Sequence, residues 1–266
     1  MIHYTENLKK IYPNLGGKFD FSLECFAYGK FEADPETRRR PAMLIFGGGG
    51  YNFVSERESA PIATAFYAKG FNCYCLNYST VRTDEGAHFP VQLLQAAAAV
   101  DYIKSKAAEH RTDENKICVI GFSAGGHLAG TISNLFNDES VKKAFPDKPE
   151  NYFRPFASVL SYAVLVEDPA VAHTGSFNNV SGGDKKLAES LSLEKRVSGD
   201  TPPAFIWCTS DDSCVDCRNS LYYASALRAN KIPFELHIYA SGPHGISLAN
   251  GSTSFGNPDL ENEHIA

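Results

Sequence analysis

Ser123 stands at the centre of Gly121-Phe122-Ser123-Ala124-Gly125, between the apolar run Ile117–Ile120 and a helical pattern that opens at Gly126. Strand, sharp turn and helix form the setting in which a serine hydroxyl is lifted clear of the backbone as a nucleophile. The turn forces the serine into an uncommon backbone conformation, so the flanking positions must be small, and Gly121 and Gly125 are. The following helix points its N-terminal dipole at the hydroxyl and favours negative charge developing there. A serine hydroxyl is a weak nucleophile and needs a base, which needs an orienting carboxylate. Asp212 follows the run Phe205–Cys208 and His244 follows Phe234–Tyr239, each where a parallel sheet places its C-terminal loops. From 123 to 212 is 89 residues and from 212 to 244 is 32. The first gap leaves room for an insertion, the second for one helix and one strand. Asp211 competes for the acid position, and Asp216 is a weaker third.

A second group lies upstream, where Gly47-Gly48-Gly49-Gly50-Tyr51 directly follows Met43–Phe46. Glycines there let backbone N–H groups converge on one oxygen, an oxyanion hole whose donors are each typically worth about 3 kcal/mol. Gly49, Gly50 and Ala124 are the expected donors, with Gly48 next. A dinucleotide loop would need glycine at 52 or 53, and the chain has Asn52 and Phe53 there. His127 sits on the helix leading away from Ser123 and is expected to pack or hydrogen-bond. His237 falls inside a strand and His88 at a helix start, while His3, His110 and His264 are expected on the surface. Tyr51, Gly48 and His173 are the candidate pocket residues.

These groups require a scaffold that gathers loops at one end. Short apolar runs alternate with helical patterns, as in a mostly parallel sheet covered on both faces. Strands are expected at Ala42–Phe46, Asn72–Asn77, Ile117–Ile120, Ala157–Tyr162, Ala204–Thr209 and Glu235–Tyr239. Phe19, Phe21, Phe26 and Tyr28 suggest one or two antiparallel edge strands. Helices are expected over Ser59–Lys69, Pro90–His110 and Val215–Asn230. Residues 135–203, rich in breakers, read as an insertion of loops and short helices over one end of the sheet, partly cap-like. The fold class is α/β, and 266 residues, 43% hydrophobic, suit one domain over 1–266.

Composition narrows the partners. A formal net charge of −6 argues against a polyanion, since nucleic-acid binding needs a concentrated basic face. Arg38-Arg39-Arg40 is short and reads as a solvated strand entrance. No apolar run approaches the roughly 20 residues needed to span a bilayer, and no leader pattern opens the chain. A soluble, cytoplasmic chain without membrane or nucleic-acid partners is expected, with homodimerisation left open. The 7 cysteines suit reduced thiols better than a disulfide framework. The lone Cys214-x-x-Cys217 lacks further ligands for zinc and reads as helix-surface thiols. Neither a metal nor an organic cofactor is expected.

Together these stretches resemble the acetyl esterase and xylan-esterase-like branch of the α/β-hydrolases, related to hormone-sensitive-lipase-type esterases. The resemblance runs from about Pro41 to Ala249. It rests on Gly48-Gly49-Gly50-Tyr51, the segment Gly121–Ala129, Asp212 with Val215, Pro233–His237 and Gly242-Pro243-His244-Gly245. It implies an α/β-hydrolase fold and a serine carboxylesterase acting on short acyl esters, with acetylated sugars or xylan fragments as substrates. The acid of the family's motif aligns with Asp212. Two positions depart from the pattern: Gly47 replaces His or Pro before the three glycines, and Asp216 replaces Pro after the valine. An amidase or peptidase on the same fold and a non-catalytic ligand-binding relative are the alternatives. Ser123 and His244 being present weighs against the last.

Overall fold

The computed structural model describes residues 1–15, 20–32, 34, 35 and 37–266, so Phe19 lies outside the described residues. Among these, one sheet of eight strands forms: β1 Ile2–Asn7, β2 Ser22–Ala27, β3 Arg40–Phe46, β4 Asn72–Asn77, β5 Thr112–Phe122, β6 Ser158–Ser161, β7 Ala204–Thr209 and β8 Phe234–Tyr239. Their order is β1-β2-β4-β3-β5-β6-β7-β8. From β4 to β8 every pairing is parallel, while β2 pairs antiparallel with both β1 and β4. All six expected strands are present. The aromatic opening yields β2, which contains Phe26, with Phe21 and Tyr28 just outside it.

The central strands are apolar throughout because both faces are covered. Ala42, Leu44 and Phe46 enter one core, and Met43 and Ile45 enter the other, the two-residue alternation of a strand. The helices Val91–Ser105 and Ala124–Leu135 pack on the first face, and Ala60–Ala68 on the second. The expected helix Pro90–His110 is interrupted at Lys106, with a last turn over Ala107–His110.

Three readings change. His110 is fully buried, because β1, a strand the pattern did not disclose, brings the Tyr4 hydroxyl to 3.1 Å from its Nε2. Tyr74 holds its other nitrogen at 2.9 Å. Arg40 is also buried, with its guanidinium 3.8 Å from the Tyr28 ring centre. The third helix starts at Arg218 instead of Val215: Asp212 holds the N–H groups of Cys214 and Val215 in a turn, and Asp216 accepts that of Arg218 at the helix start. Cys214 therefore lies exposed in the preceding loop, Cys217 occupies the N-cap position without a side-chain bond to the helix, and all seven thiols are free.

Residues 135–203 divide between the two ends of the sheet. The helix Ala124–Leu135 carries the chain back to the amino ends of the strands, where Phe156 N–H bonds the carbonyl of Ile117. After β6 the chain returns to the carboxyl ends, and there the helices Thr174–Ser181 and Lys185–Ser190 form. Among the described residues no helix is long and apolar enough to cross a membrane.

Candidate active site

The turn from β5 into the helix Ala124–Leu135 holds Ser123 at φ 54° and ψ −119°. That left-handed value is costly for a residue with a side chain, and the surroundings enforce it. A Cβ on Gly121 would meet the carbonyl oxygen of Gly125 at 2.0 Å, and one on Gly125 would meet that of Phe46 at 2.2 Å. Gly121 is needed for the turn to close on itself, and Gly125 for it to press against the end of β3. Ser123 N–H then bonds the carbonyl of Ser161, and its carbonyl accepts from Val164 and His127.

The loops after β7 and β8 bring Asp212 and His244 to it. His244 Nε2 lies 2.8 Å from Ser123 Oγ, and His244 Nδ1 lies 2.7 Å from Asp212 Oδ2. A carboxylate only accepts, so Nδ1 carries the imidazole proton and Nε2 is left free to accept the serine hydroxyl. Asp212 Oδ1 accepts the N–H groups of Cys214 and Val215 at 2.8 and 2.9 Å. Burial pushes the Asp212 carboxyl up, but the His244 bond and charge, with the two N–H donors, outweigh it and hold its pKa below the usual aspartate value. Asp211, exposed, instead bonds Ser241 Oγ and Gly242 N–H, and Asp216 pairs with Arg218.

The glycine loop is anchored through its carbonyls. Gly47 O accepts the Tyr78 hydroxyl, Gly48 O the N–H of Ser55, Gly49 O those of Asn52 and Phe53, and Gly50 O the Asn179 amide. The N–H of Gly48 is also taken, by Glu58 Oε2 at 2.7 Å, so Gly48 is not a free donor. The N–H groups of Gly49, Gly50 and Ala124 donate to no protein acceptor among the described residues. Gly49 and Gly50 hold φ of 119° and 65°, values that suit glycine.

Tyr51 is not a pocket residue: it is 1% exposed, because its hydroxyl turns inward to His127 Nδ1 at 2.8 Å. His127 Nε2 meets the carbonyl of Leu191 at 2.9 Å, which fixes its proton on Nε2 and makes Nδ1 accept from Tyr51. Burial lowers its pKa to about 4, so it is neutral and structural, as its place on the helix suggested. His173, half-buried, caps the helix Thr174–Ser181 and bonds Ser176 Oγ at 2.8 Å. Burial, and then the charge of His244, lower its pKa.

The sequence reading passed over Glu58 and Tyr162. Glu58 is 3% exposed and Tyr162 2%, and their side chains meet at 2.6 Å. The Tyr162 ring lies edge-on to His244 with centroids 5.1 Å apart. Only the charged run Glu56-Arg57-Glu58 just after the glycine loop offered a signal. Among the described residues no group of three His, Cys, Asp or Glu side chains is placed to hold a metal ion.

Comparison with known proteins assigns the chain to a family. Residues 31–227 match the BD-FAE family. The chain is 34% identical to endo-1,4-beta-xylanase B of Butyrivibrio fibrisolvens over 92% of its own length and 39% of that protein's. It is 29% identical to acetylxylan esterase of Xylanibacter ruminicola over 93% of its length and 48% of that protein's. It thus spans less than half the length of these curated relatives. Among solved structures, the carboxylesterase Cest-2923 of Lactobacillus plantarum superposes with a TM-score of 0.85 at 28% identity, covering 100% of this chain and 93% of that one. An acetyl ester-xyloside bifunctional hydrolase of Caldicellulosiruptor lactoaceticus gives 0.77 at 31% identity, over 96% and 90%. The chain belongs to the BD-FAE family, in the carboxylesterase branch of the α/β-hydrolases that its motifs resemble.

Proposed function

We propose that the chain is a serine carboxylesterase that hydrolyses short acyl esters, acetyl esters of xylan-derived sugars above all. The observation that carries this reading is the hydrogen-bonded line Ser123–His244–Asp212 beside three unoccupied N–H donors.

In this mechanism Ser123 Oγ attacks the ester carbonyl while His244 Nε2 takes its proton. Asp212 holds the imidazole in the right tautomer and stabilises the imidazolium that forms. The former carbonyl oxygen, now charged, sits against the N–H groups of Gly49, Gly50 and Ala124. Collapse breaks the bond to the alcohol, which leaves with the proton from Nε2 and gives an acyl-Ser123. Water, deprotonated by the same nitrogen, attacks the acyl carbonyl, and collapse releases the acid and restores the hydroxyl.

The sugar assignment draws on two relatives whose names specify acetylated xylan or xyloside substrates. One polar group near the site agrees with it. His173 bonds Ser176 Oγ, which lies 3.8 Å from where a Gly50 Cβ would be, so its half-buried ring stands near the glycine loop and suits a hydroxyl of a sugar alcohol.

The test is turnover of p-nitrophenyl acetate, an acetylated xylo-oligosaccharide and an aminoacyl anilide by wild type and Ser123→Ala. Wild type should cleave both esters and spare the anilide, and Ser123→Ala should lose about 10⁴-fold or more in kcat. Equal ester turnover by the two proteins rules the assignment out.

A further inference from the structure

Among the described residues, the carboxyl of Glu58 is the one strongly buried acid beside the glycine loop that the mechanism above leaves without a task. Its two oxygens face two elements of the site. Oε2 accepts the N–H of Gly48 at 2.7 Å and Oε1 accepts the Tyr162 hydroxyl at 2.6 Å. On the other side of the same peptide, the carbonyl of Gly47 accepts the Tyr78 hydroxyl at 2.7 Å. The Gly47–Gly48 peptide plane is therefore gripped at both its polar atoms. Because the Gly48 N–H is spent, the series of free donors begins at Gly49.

The second arm runs to the base. Tyr162 donates its hydroxyl proton to Glu58, and its oxygen accepts the N–H of Ser247 at 3.0 Å. Ser247 is three residues past His244, and its Oγ bonds the carbonyl of Arg57. Arg57 in turn donates to the carbonyl of Gly245 at 3.0 Å. Burial pushes the Glu58 carboxyl above the usual glutamate value, and the Tyr162 hydroxyl and the Gly48 N–H, both donating to it, oppose that rise. Tyr162, Tyr78, Arg57 and His244 are the titratable and charged groups that face it.

We propose that Glu58 is a positioning residue of the site. It sets which N–H groups of the glycine loop remain for the substrate oxygen, and it ties that loop through Tyr162 to the loop carrying His244. The proposal rests on the esterase reading. It adds a residue that touches no reacting atom yet controls where the oxyanion is bound. Glutamine replaces it only in part, because its single carbonyl oxygen serves one donor: either its NH₂ opposes the Gly48 N–H, or it meets the Tyr162 oxygen and displaces the proton that hydroxyl gave.

The experiment compares wild type, Glu58→Gln and Tyr162→Phe in thermal melting, in p-nitrophenyl acetate kinetics and in inhibition by an aryl trifluoromethyl ketone. The ketone forms a tetrahedral adduct whose oxyanion uses the same N–H groups. Glu58→Gln is expected to lose about 10- to 100-fold in kcat with KM within about twofold, as for displacement of an oxyanion donor. Its ketone affinity should fall in parallel. Tyr162→Phe keeps Gly48 bound and should lose only about 3- to 10-fold. A folded Glu58→Gln with wild-type kcat overturns the proposal, as does a lower kcat with unchanged ketone affinity. If Glu58→Gln does not fold, Tyr162→Phe decides, and wild-type kcat and ketone affinity in that variant overturn it. Fluorophosphonate labelling of the wild type separates the two readings. Failure to label Ser123 removes the esterase assignment and this proposal with it, whereas labelling with an unaffected Glu58→Gln removes this proposal alone.

Discussion

Asp211 and Asp212 are neighbours with different surroundings. Asp212 is 9% exposed and bonds His244, while Asp211 lies in solvent and braces Ser241 and Gly242. If Asp212 orients the base, Asp212→Asn should lower kcat by about 10⁴-fold, because the amide favours the wrong imidazole tautomer. Asp211→Asn should cost no more than about tenfold, since it touches the base only through its loop. Steady-state kinetics of the two variants checks this, and a larger loss at Asp211 reverses the assignment. That Ser123, Asp212 and His244 would meet was legible, because each follows a readable strand and parallel strands gather the loops that follow them at one end. Glu58 was not, because a lone glutamate in a charged run has neither period nor motif. Its meaning depends on Tyr162, more than a hundred positions away. Gly48 likewise looked like a donor until that partner was known.

At the scale of elements, His127 joins three pieces: the nucleophile helix that carries it, the glycine loop through Tyr51, and the segment after β6 through Leu191. Its pKa in the folded protein is about 4, against 6.5 for a free imidazole. The unfolded chain therefore takes up a proton as pH falls through 6.5 while the folded one resists until about pH 4. Stability contributed by neutral His127 is fully present above pH 6.5 and is lost between 6.5 and 4, on the order of 3 kcal/mol in all. The urea midpoint of the wild type should fall across that window. In His127→Gln it should start lower, from the lost Tyr51 bond, and fall less steeply. Equal slopes in the two proteins would assign the acid sensitivity to other groups. The elements themselves were readable where apolar runs are continuous, as in β3 to β7. They were not where pairing alone makes the strand, as in β1, whose mixed residues alternate between half-buried and exposed. That strand also explains why His110 is buried.

The molecule as a whole separates its duties between the two ends of the sheet. The carboxyl ends carry Ser123, Asp212, His244 and the glycine loop. At the amino ends Asp101, in the last turns of Val91–Ser105, accepts the hydroxyls of Tyr12 and Tyr152 at 2.9 and 3.0 Å and pairs with Lys148. One carboxylate thus joins the N-terminal segment, a central helix and residues 148–152, at the end of the sheet away from Ser123. Removing it leaves two hydroxyls and an ammonium without their acceptor, which should cost about 1–3 kcal/mol. In a chain of this size that corresponds to a melting temperature lower by about 2–12 °C. The central strands lie between the two ends, packed at 0–4% exposure in β3 and β5 around Leu44, Ile45, Val119 and Ile120, so a local loosening at Asp101 should not reach the turn that holds Ser123. Asp101→Ala is therefore expected to melt earlier while its kcat on p-nitrophenyl acetate stays within about twofold of wild type. Calorimetry and kinetics on one preparation measure both quantities. A kcat that falls with the melting temperature, at temperatures where the variant is folded, would show that the two ends are mechanically coupled through the sheet.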